Sequence, residues 1–226
     1  MKTSNYITIS YLIFLFGGVL LLFLSTTYAP KYSADADLLT QEKPLSEFSV
    51  VVTEPGTNVY LKYGKNPTIS LDYKKGETIT FPSFAVQNDT LFIHSNSGKE
   101  KLKKVQISCK RIKAIYGEEA NLWLEETIKT DTLLISLKKS EFQWSSDLIN
   151  NYHLVVSVIA DQSNISIGDF NVEKLDIQLN NSIMKAGNYS FGTISGNLKN
   201  GSVFTIGRFK KISLECDSIS NYEMKN

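Results

Sequence analysis

Seven cations stand close together in this chain, Lys99, Lys101, Lys103, Lys104, Lys110, Arg111 and Lys113, and form its strongest concentration of one charge. Such a group suits a polyanion, either an acidic glycan or lipid head groups. Net charge is only +1, and the alternation of the run with Val105 and Ile107 also fits the solvated face of a strand. Trp123 and Trp144, with Tyr116 and Tyr152, supply ring faces that could stack on the apolar faces of sugars. Core packing is the alternative use of the same rings. The candidate binding residues are therefore these seven cations with Trp123 and Trp144.

Reactive groups are sparse. His94 and His153 are the two histidines, and neither stands at ligand-like spacing from another His or Cys. Glu118-Glu119 and Glu125-Glu126 are adjacent pairs, and adjacent strand residues face opposite ways, so neither doublet is a ready acid-base pair. Asp161, Asp169, Asp176 and Asp217 do not recur at one repeat position. The Gly-Gly-x-Gly-x-Asp repeat that binds calcium in some solenoids is absent. No catalytic residue, metal ligand or cofactor is assigned. The expectation is a non-enzymatic binding or structural module, with a carbohydrate-active β-helix enzyme, or an envelope scaffold or sensor acting through a partner, as alternatives.

The elements that would position these residues announce themselves by repetition. Leu175, Ile177 and Leu179 are followed by Ile194, Gly196 and Leu198, then by Ile212, Leu214 and Cys216, at steps of 19 and 18 residues. Extended upstream, the pattern takes in Leu154, Val156 and Val158, then Leu133, Ile135 and Leu137, then Val105, Ile107 and Cys109. Apolar residues two apart, with mostly polar or small residues between, predict strands with one buried face. A second short strand is predicted after each polar corner, centred on Ile165, Ile183, Val203 and Ile219. Gly168, Gly187 and Gly207 follow three of them, where positive φ would serve a turn. Asn and Ser fill the corners at Gln162-Ser163-Asn164, Asn180-Asn181-Ser182 and Asn200-Gly201-Ser202. Asn-x-Ser/Thr sequences at Asn88, Asn164, Asn180, Asn188 and Asn200 follow from such corners without implying glycosylation.

Near-constant spacing predicts an all-β fold, a β-solenoid (parallel β-helix-like) of about 18–21 residues per coil. The alternative is an antiparallel β-sandwich, which also reads as short alternating strands between Gly and Asn turns. In the six-coil register Cys109 and Cys216 take equivalent inward places five steps apart. At roughly 4.8 Å per step they would stand about 24 Å apart, beyond the roughly 7 Å limit of a disulfide. That register predicts two buried free thiols.

Upstream, strands are expected over Phe48 to Val52, Val59 to Leu61, Ile69 to Leu71 and Leu91 to Ile93, with turns at Pro55-Gly56, Lys75-Gly76 and Asn88-Asp89. Residues 30–44 read as a linker and residues 45–226 as the solenoid domain. Between Lys2 and Lys31 no charged residue occurs. Residues 6–29 are long enough to cross a hydrocarbon layer of roughly 30 Å as a helix, so residues 1–29 read as a membrane anchor or a signal peptide. The arrangement expected is a cytoplasmic stub and an exported domain, or a cleaved and exported one. Nucleic acid is not an expected partner.

The order Phe48-Ser49-Val50-Val51-Val52, then Val59-Tyr60-Leu61, then Asn88-Asp89-Thr90-Leu91-Phe92-Ile93, then repeated coils, resembles the head GIN domain of putative auto-transporter adhesins. The resemblance covers roughly Phe48 to Met224, and Ser163, Ser182 and Ser202 match the small corner residues of that family. It implies an exported β-helical domain of the bacterial cell envelope, periplasmic or extracellular, with an adhesin-like role; a glycan or an envelope protein is the partner expected of such a module. The bulkier stretch through Glu118-Glu119-Ala120-Asn121, Trp123 and Phe142-Gln143-Trp144 departs from the family texture, and no outer-membrane barrel is expected after the repeats.

Overall fold

In five successive coils the chain crosses from one sheet to the other at a corner holding a left-handed residue and then a small buried one. These corners are Glu119-Ala120, Lys139-Ser140, Gln162-Ser163, Asn181-Ser182 and Asn200-Gly201-Ser202, the first residue of each having φ between 44° and 56°. The computed structural model describes residues 14, 38–76, 80–95, 104–125, 130–145, 154–168, 172–187 and 190–224. Residues 39–226 form one compact unit. Residues 6–29, read as an anchor, lie outside the described residues apart from Phe14. Among the described residues no helix is long and apolar enough to cross a membrane.

The regular elements are strands. In the first part of the chain they are β1 (Leu38–Pro44), β2 (Val50–Thr53), β3 (Asn58–Tyr63), β4 (Thr68–Lys74), β5 (Ser83–Gln87), β6 (Thr90–His94) and β7 (Val105–Cys109). The middle holds β8 (Ala114–Glu118), β9 (Asn121–Leu124), β10 (Thr132–Lys138), β11 (Glu141–Trp144), β12 (Val155–Asp161) and β13 (Asn164–Ile167). The last are β14 (Val172–Asn180), β15 (Ile183–Ala186), β16 (Ser190–Lys199), β17 (Val203–Ile206), β18 (Arg208–Cys216) and β19 (Asn221–Met224).

From β8 onward the chain alternates strictly between two sheets, and each strand pairs in parallel with its equivalent one coil away. Parallel pairing of successive coils is what a solenoid requires and a sandwich of hairpins does not supply. The first sheet runs β1-β4-β7-β3-β9-β11-β13-β15-β17-β19 and the second β18-β16-β14-β12-β10-β8-β2-β6-β5. The β2–β3 coil therefore lies between the β6–β7 coil and the β8–β9 coil, so chain order and stacking order differ at this end. Antiparallel strands close the same end: β4 on β7, and β5 on β6 through a hairpin whose Asn88 and Asp89 have φ of 48° and 64°, as a two-residue type I′ turn demands. The edge strand β1 falls in the stretch read as linker; its side chains from Leu39 to Pro44 are exposed, so they show no apolar alternation to reveal it.

Three sequence expectations shift in register. Val156, Val158 and Ala160, rather than Leu154, Val156 and Val158, stand beside Leu175, Ile177 and Leu179 and beside Leu133, Ile135 and Leu137. Leu154 is buried too, and a period of two cannot tell four inward residues in a row from either triplet within them. In the second strands the inward places belong to Ile165, Met184, Phe204 and Tyr222. Ile183 is 44% exposed, and Ile219 is 70% exposed in the final corner. Val105, Ile107 and Cys109 are inward, but they sit on the first sheet beside Val59, Leu61 and Tyr63, not above Leu133. The coils between Cys109 and Leu154 are regular: Ile115 stacks on Ile135, and Leu122 and Leu124 stack on Phe142 and Trp144.

Gly168, Gly187 and Gly207 do not take positive φ. Gly168 and Gly187 extend the ladder instead, donating N–H to Trp144 O at 2.7 Å and Ile167 O at 2.8 Å. The sharp change of direction falls at the other corner, where Gln162 N donates to Asn180 O and Asn181 N to Lys199 O, so a left-handed residue there makes an inter-coil hydrogen bond.

The inside of those corners carries a ladder of buried serines. Ala120 N donates to Ser140 Oγ, Ser140 N to Ser163 Oγ, Ser163 N to Ser182 Oγ, Ser182 N to Ser202 Oγ and Ser202 N to Ser220 Oγ, at 3.0–3.2 Å. The steps are 20, 23, 19, 20 and 18 residues. Ser140, Ser163 and Ser182 donate in turn to the carbonyl two residues back, and Ser202 to that of Lys199. Serine fits because a buried backbone N–H must find an acceptor, and one hydroxyl here both accepts from the neighbouring coil and donates within its own.

Candidate functional site

Sheet strands turn alternate residues outward, and on the first sheet one such row gathers an aromatic and charged cluster. Tyr60 of β3 lies between Gln106 of β7 and Trp123 of β9 in the register. Lys104, just before β7, places its Nζ 3.1 Å from the centre of the Tyr60 ring and 5.9 Å from that of Trp123. An ammonium over ring faces is held by their quadrupoles, worth about 0.5–1 kcal/mol at exposed sites. Partial burial lowers the Lys104 pKa, opposed by the charge of Asp72, which raises it.

A hydrogen-bonded ribbon continues across the strands beside it. Lys62 Nζ donates to Gln106 Oε1 at 3.3 Å, Gln106 Nε2 to Asp72 Oδ2 at 2.6 Å, and Thr40 Oγ1 to Asp72 Oδ1 at 2.6 Å. The row presents a half-exposed indole, two cations and one carboxylate already engaged by an amide and a hydroxyl. Strands hold these side chains apart from Lys104, which immediately precedes β7, and a ring, a planar amide and cations together can stack on a sugar and hydrogen-bond its hydroxyl or carboxylate groups.

The other sequence candidates go elsewhere. Lys99, Lys101 and Lys103 lie outside the described residues. Lys110, Arg111 and Lys113 follow β7 at its opposite end and line a cleft of about 440 Å³ with Glu47, Phe48, Ser49, Pro67 and Asp89. In that cleft Lys113 Nζ stands 3.9 Å from Asp89 Oδ2, which also accepts from Ser49 Oγ. The strand β7 thus divides the basic run between two places, because Val105, Ile107 and Cys109 point inward and carry the chain across the domain. Trp144 is 4% exposed and faces the core between Leu124 and Ile167, so it has no ring face for a ligand. Trp144 and Trp123 occupy opposite phases of equivalent strands.

Tyr60, Lys62, Asp72, Gln106 and Thr40 were not among the sequence candidates. The phase of Val59-Tyr60-Leu61 turns Tyr60 outward and could have revealed it. The meeting of β1, β4, β7, β3 and β9 could not be read from their order along the chain.

The acidic doublet resolves into stacked ion pairs. Glu118 meets Lys138 at 2.6 Å and Glu119 meets Lys139 at 3.1 Å, and the Lys138 hydrogen bond holds the Glu118 pKa below the ordinary carboxylate value. His94 Nδ1 lies 2.6 Å from Glu54 Oε1 on the surface, and His153 lies outside the described residues. Among the described residues no group of three or more His, Cys, Asp or Glu could hold a metal ion.

The cysteines are both free, but their surroundings differ. Cys109 is fully buried, and burial pushes its thiol pKa up to about 12. Cys216 is exposed, which corrects the expectation of two buried thiols: it lies on the last strand of its sheet, with a coil on one side only. At pH 8 a thiol reagent is expected to modify one cysteine quickly, and the second only after unfolding. Peptide mapping should find the fast label at Cys216; fast labelling of Cys109 would contradict the fold of β7.

No protein-family model matches the sequence, and no curated protein matches it. Solved structures do. The crystal structure of a "putative adhesin" from Bacteroides fragilis is 11% identical, with a TM-score of 0.51, covering 84% of this chain and 98% of that one. A second, from Parabacteroides merdae, is 13% identical with a TM-score of 0.38, covering 85% and 98%. A third, from Parabacteroides distasonis, is 12% identical with a TM-score of 0.42, covering 84% and 98%. At such identities the likeness is one of fold, and the Bacteroides fragilis protein carries it.

Proposed function

We propose that this chain is a non-enzymatic, adhesin-like module of the bacterial cell envelope, and that it binds acidic glycans on the outer face of its first sheet. The observation that carries the reading is the Lys104, Tyr60 and Trp123 cluster with the Lys62–Gln106–Asp72–Thr40 ribbon beside it. Two cations against one engaged carboxylate favour a sugar bearing a carboxylate or sulfate. The indole supplies the stacking face. Among the described residues the carboxylates whose pKa is moved, Glu118, Asp176 and Asp217, are all lowered, whereas a general acid for glycoside cleavage needs a raised one. The adhesin names of the fold neighbours and the resemblance to the head GIN domain support the same reading, with residues 1–29 as the segment that brings the domain to the envelope.

A glycan array probed with the protein, followed by calorimetry on the acidic glycans retained, tests this. Trp123→Ala is expected to weaken binding at least tenfold. Lys104→Gln is expected to remove the preference for acidic over neutral sugars and to flatten the salt dependence. Unchanged binding in both variants, or none in the parent, would refute the site.

A further inference from the structure

The two ends of the solenoid are finished differently. At the β1 and β5 end, antiparallel strands and the partly buried Leu45, Phe81, Phe84 and Val86 pack over the core. At the other end, among the described residues, β18 pairs only with β16, and β19 only with β17. The nine residues of β18 leave one row of backbone N–H and C=O groups outside the ladder. Ile212 and Leu214 beneath that edge are only partly covered, and Tyr222 and Met224 on β19 are 43% and 64% exposed. A bare edge with apolar residues behind it is a template for another strand.

The charges on β18 indicate which strand. Arg208, Lys210 and Lys211 precede Ser213, and Glu215 follows it. An edge defended against pairing is served by charge of one sign. Here the sign reverses across Ser213, so the strand complements its own sequence when turned end for end. We propose that this end binds a second copy of the chain, β18 pairing antiparallel with its counterpart about a two-fold axis at Ser213. Lys211 then lies opposite Glu215 of the second copy and Ile212 opposite its Leu214, each twice, as an isologous contact requires. Both sheets continue across the junction, and the uncovered residues of the last coil face each other.

This register places the two Ser213 residues in direct opposition, with Cα atoms about 4.5–5.5 Å apart, within disulfide range. The two Cys216 residues fall six strand positions apart, about 20 Å at 3.4 Å per residue. The full chain with Cys216→Ser and Ser213→Cys, purified in detergent and oxidised, is expected to give a covalent dimer on a non-reducing gel. Ser166→Cys in the same background, on the exposed face of β13, is expected to stay monomeric. By light scattering, Lys211→Glu or Glu215→Lys alone should weaken dimerisation at least tenfold, and the two together should restore it to within about threefold. A monomeric parent chain at about 100 μM, cross-linking no better at Ser213 than at Ser166, a wild-type dimer linked through Cys216, or a double reversal that fails to rescue would each overturn the proposal. A different chain occupying this end would give the first of these results.

Discussion

Gly196→Ala is expected to cost about 2–6 kcal/mol, a large part of the roughly 5–15 kcal/mol that holds a domain of this size folded. Gly196 is the middle residue of the Ile194-Gly196-Leu198 triplet, where the neighbouring coils place Ile177 and Leu214. Its φ of 143° lies where L-residues are rarely found, and an added Cβ would fall on the Ile177 carbonyl of the coil below. That contact is with backbone, so no rotamer change relieves it, and β14 and β16 would have to separate. Strain of this conformation alone is about 1–3 kcal/mol, and the forced displacement adds a cost like that of overpacking, about 1–3 kcal/mol. Gly201→Ala is the control. Gly201 also has positive φ, 76°, yet nothing lies within 4 Å of its added Cβ, so only a left-handed penalty of about 1–2 kcal/mol applies. Urea unfolding of both variants separates the terms; equal midpoints would show that the close approach of β14 and β16 is wrong.

Ser182→Ala is expected to cost about 1–3 kcal/mol through a single orphaned group. Ser182 is 1% exposed and accepts the Ser163 N–H at 3.0 Å, while its own hydroxyl donates to Asn180 O at 2.7 Å. Asn180 O keeps a second donor in Gln162 N, so it loses little. The Ser163 N–H loses its acceptor in a place water does not reach, and that desolvated donor carries the cost. Ser220→Ala removes the equivalent acceptor for Ser202 N but at the open end, where Ser220 is 9% exposed, so it is expected to cost under about 1 kcal/mol. A gradient from Ser182 to Ser220 in denaturant midpoint, with unchanged slope, is the signature of the ladder. Equal effects would mean that the hydroxyls only fill space.

Much of the solenoid was legible because its energetics repeat. Each inward triplet of the last coils must stack on its equivalent, so the spacing along the chain records the circumference of a coil, and Leu175, Ile194 and Ile212 were placed correctly from spacing alone. Apolarity does not settle phase where two adjacent residues share it. In Ile183-Met184 both residues are apolar, and the β-branched one is outward; Met184 fills the core between Ile165 and Phe204. Nor does it settle register at Leu154, where four inward residues in succession leave the register free to slip by two.

The sequence by itself determined that the chain coils: period-two alternation repeated at near-constant steps, with Asn and Ser at the corners, is enough to demand stacked parallel strands, because each coil can bury its apolar face only against the next. It also set the phase of Tyr60 and Trp123. Only the tertiary structure decided that β2–β3 is inserted between β6–β7 and β8–β9. That insertion brings Tyr60 beside both Gln106 and Trp123 and sets Cys109 beside Tyr63 within the first sheet. Stacking order is settled by which coils cover one another best, a long-range choice that no local spacing encodes. For the same reason Cys216 and Leu214 look like core residues in the repeat, yet among the described residues they stand on the edge strand β18, where Cys216 is exposed and Leu214 only partly buried.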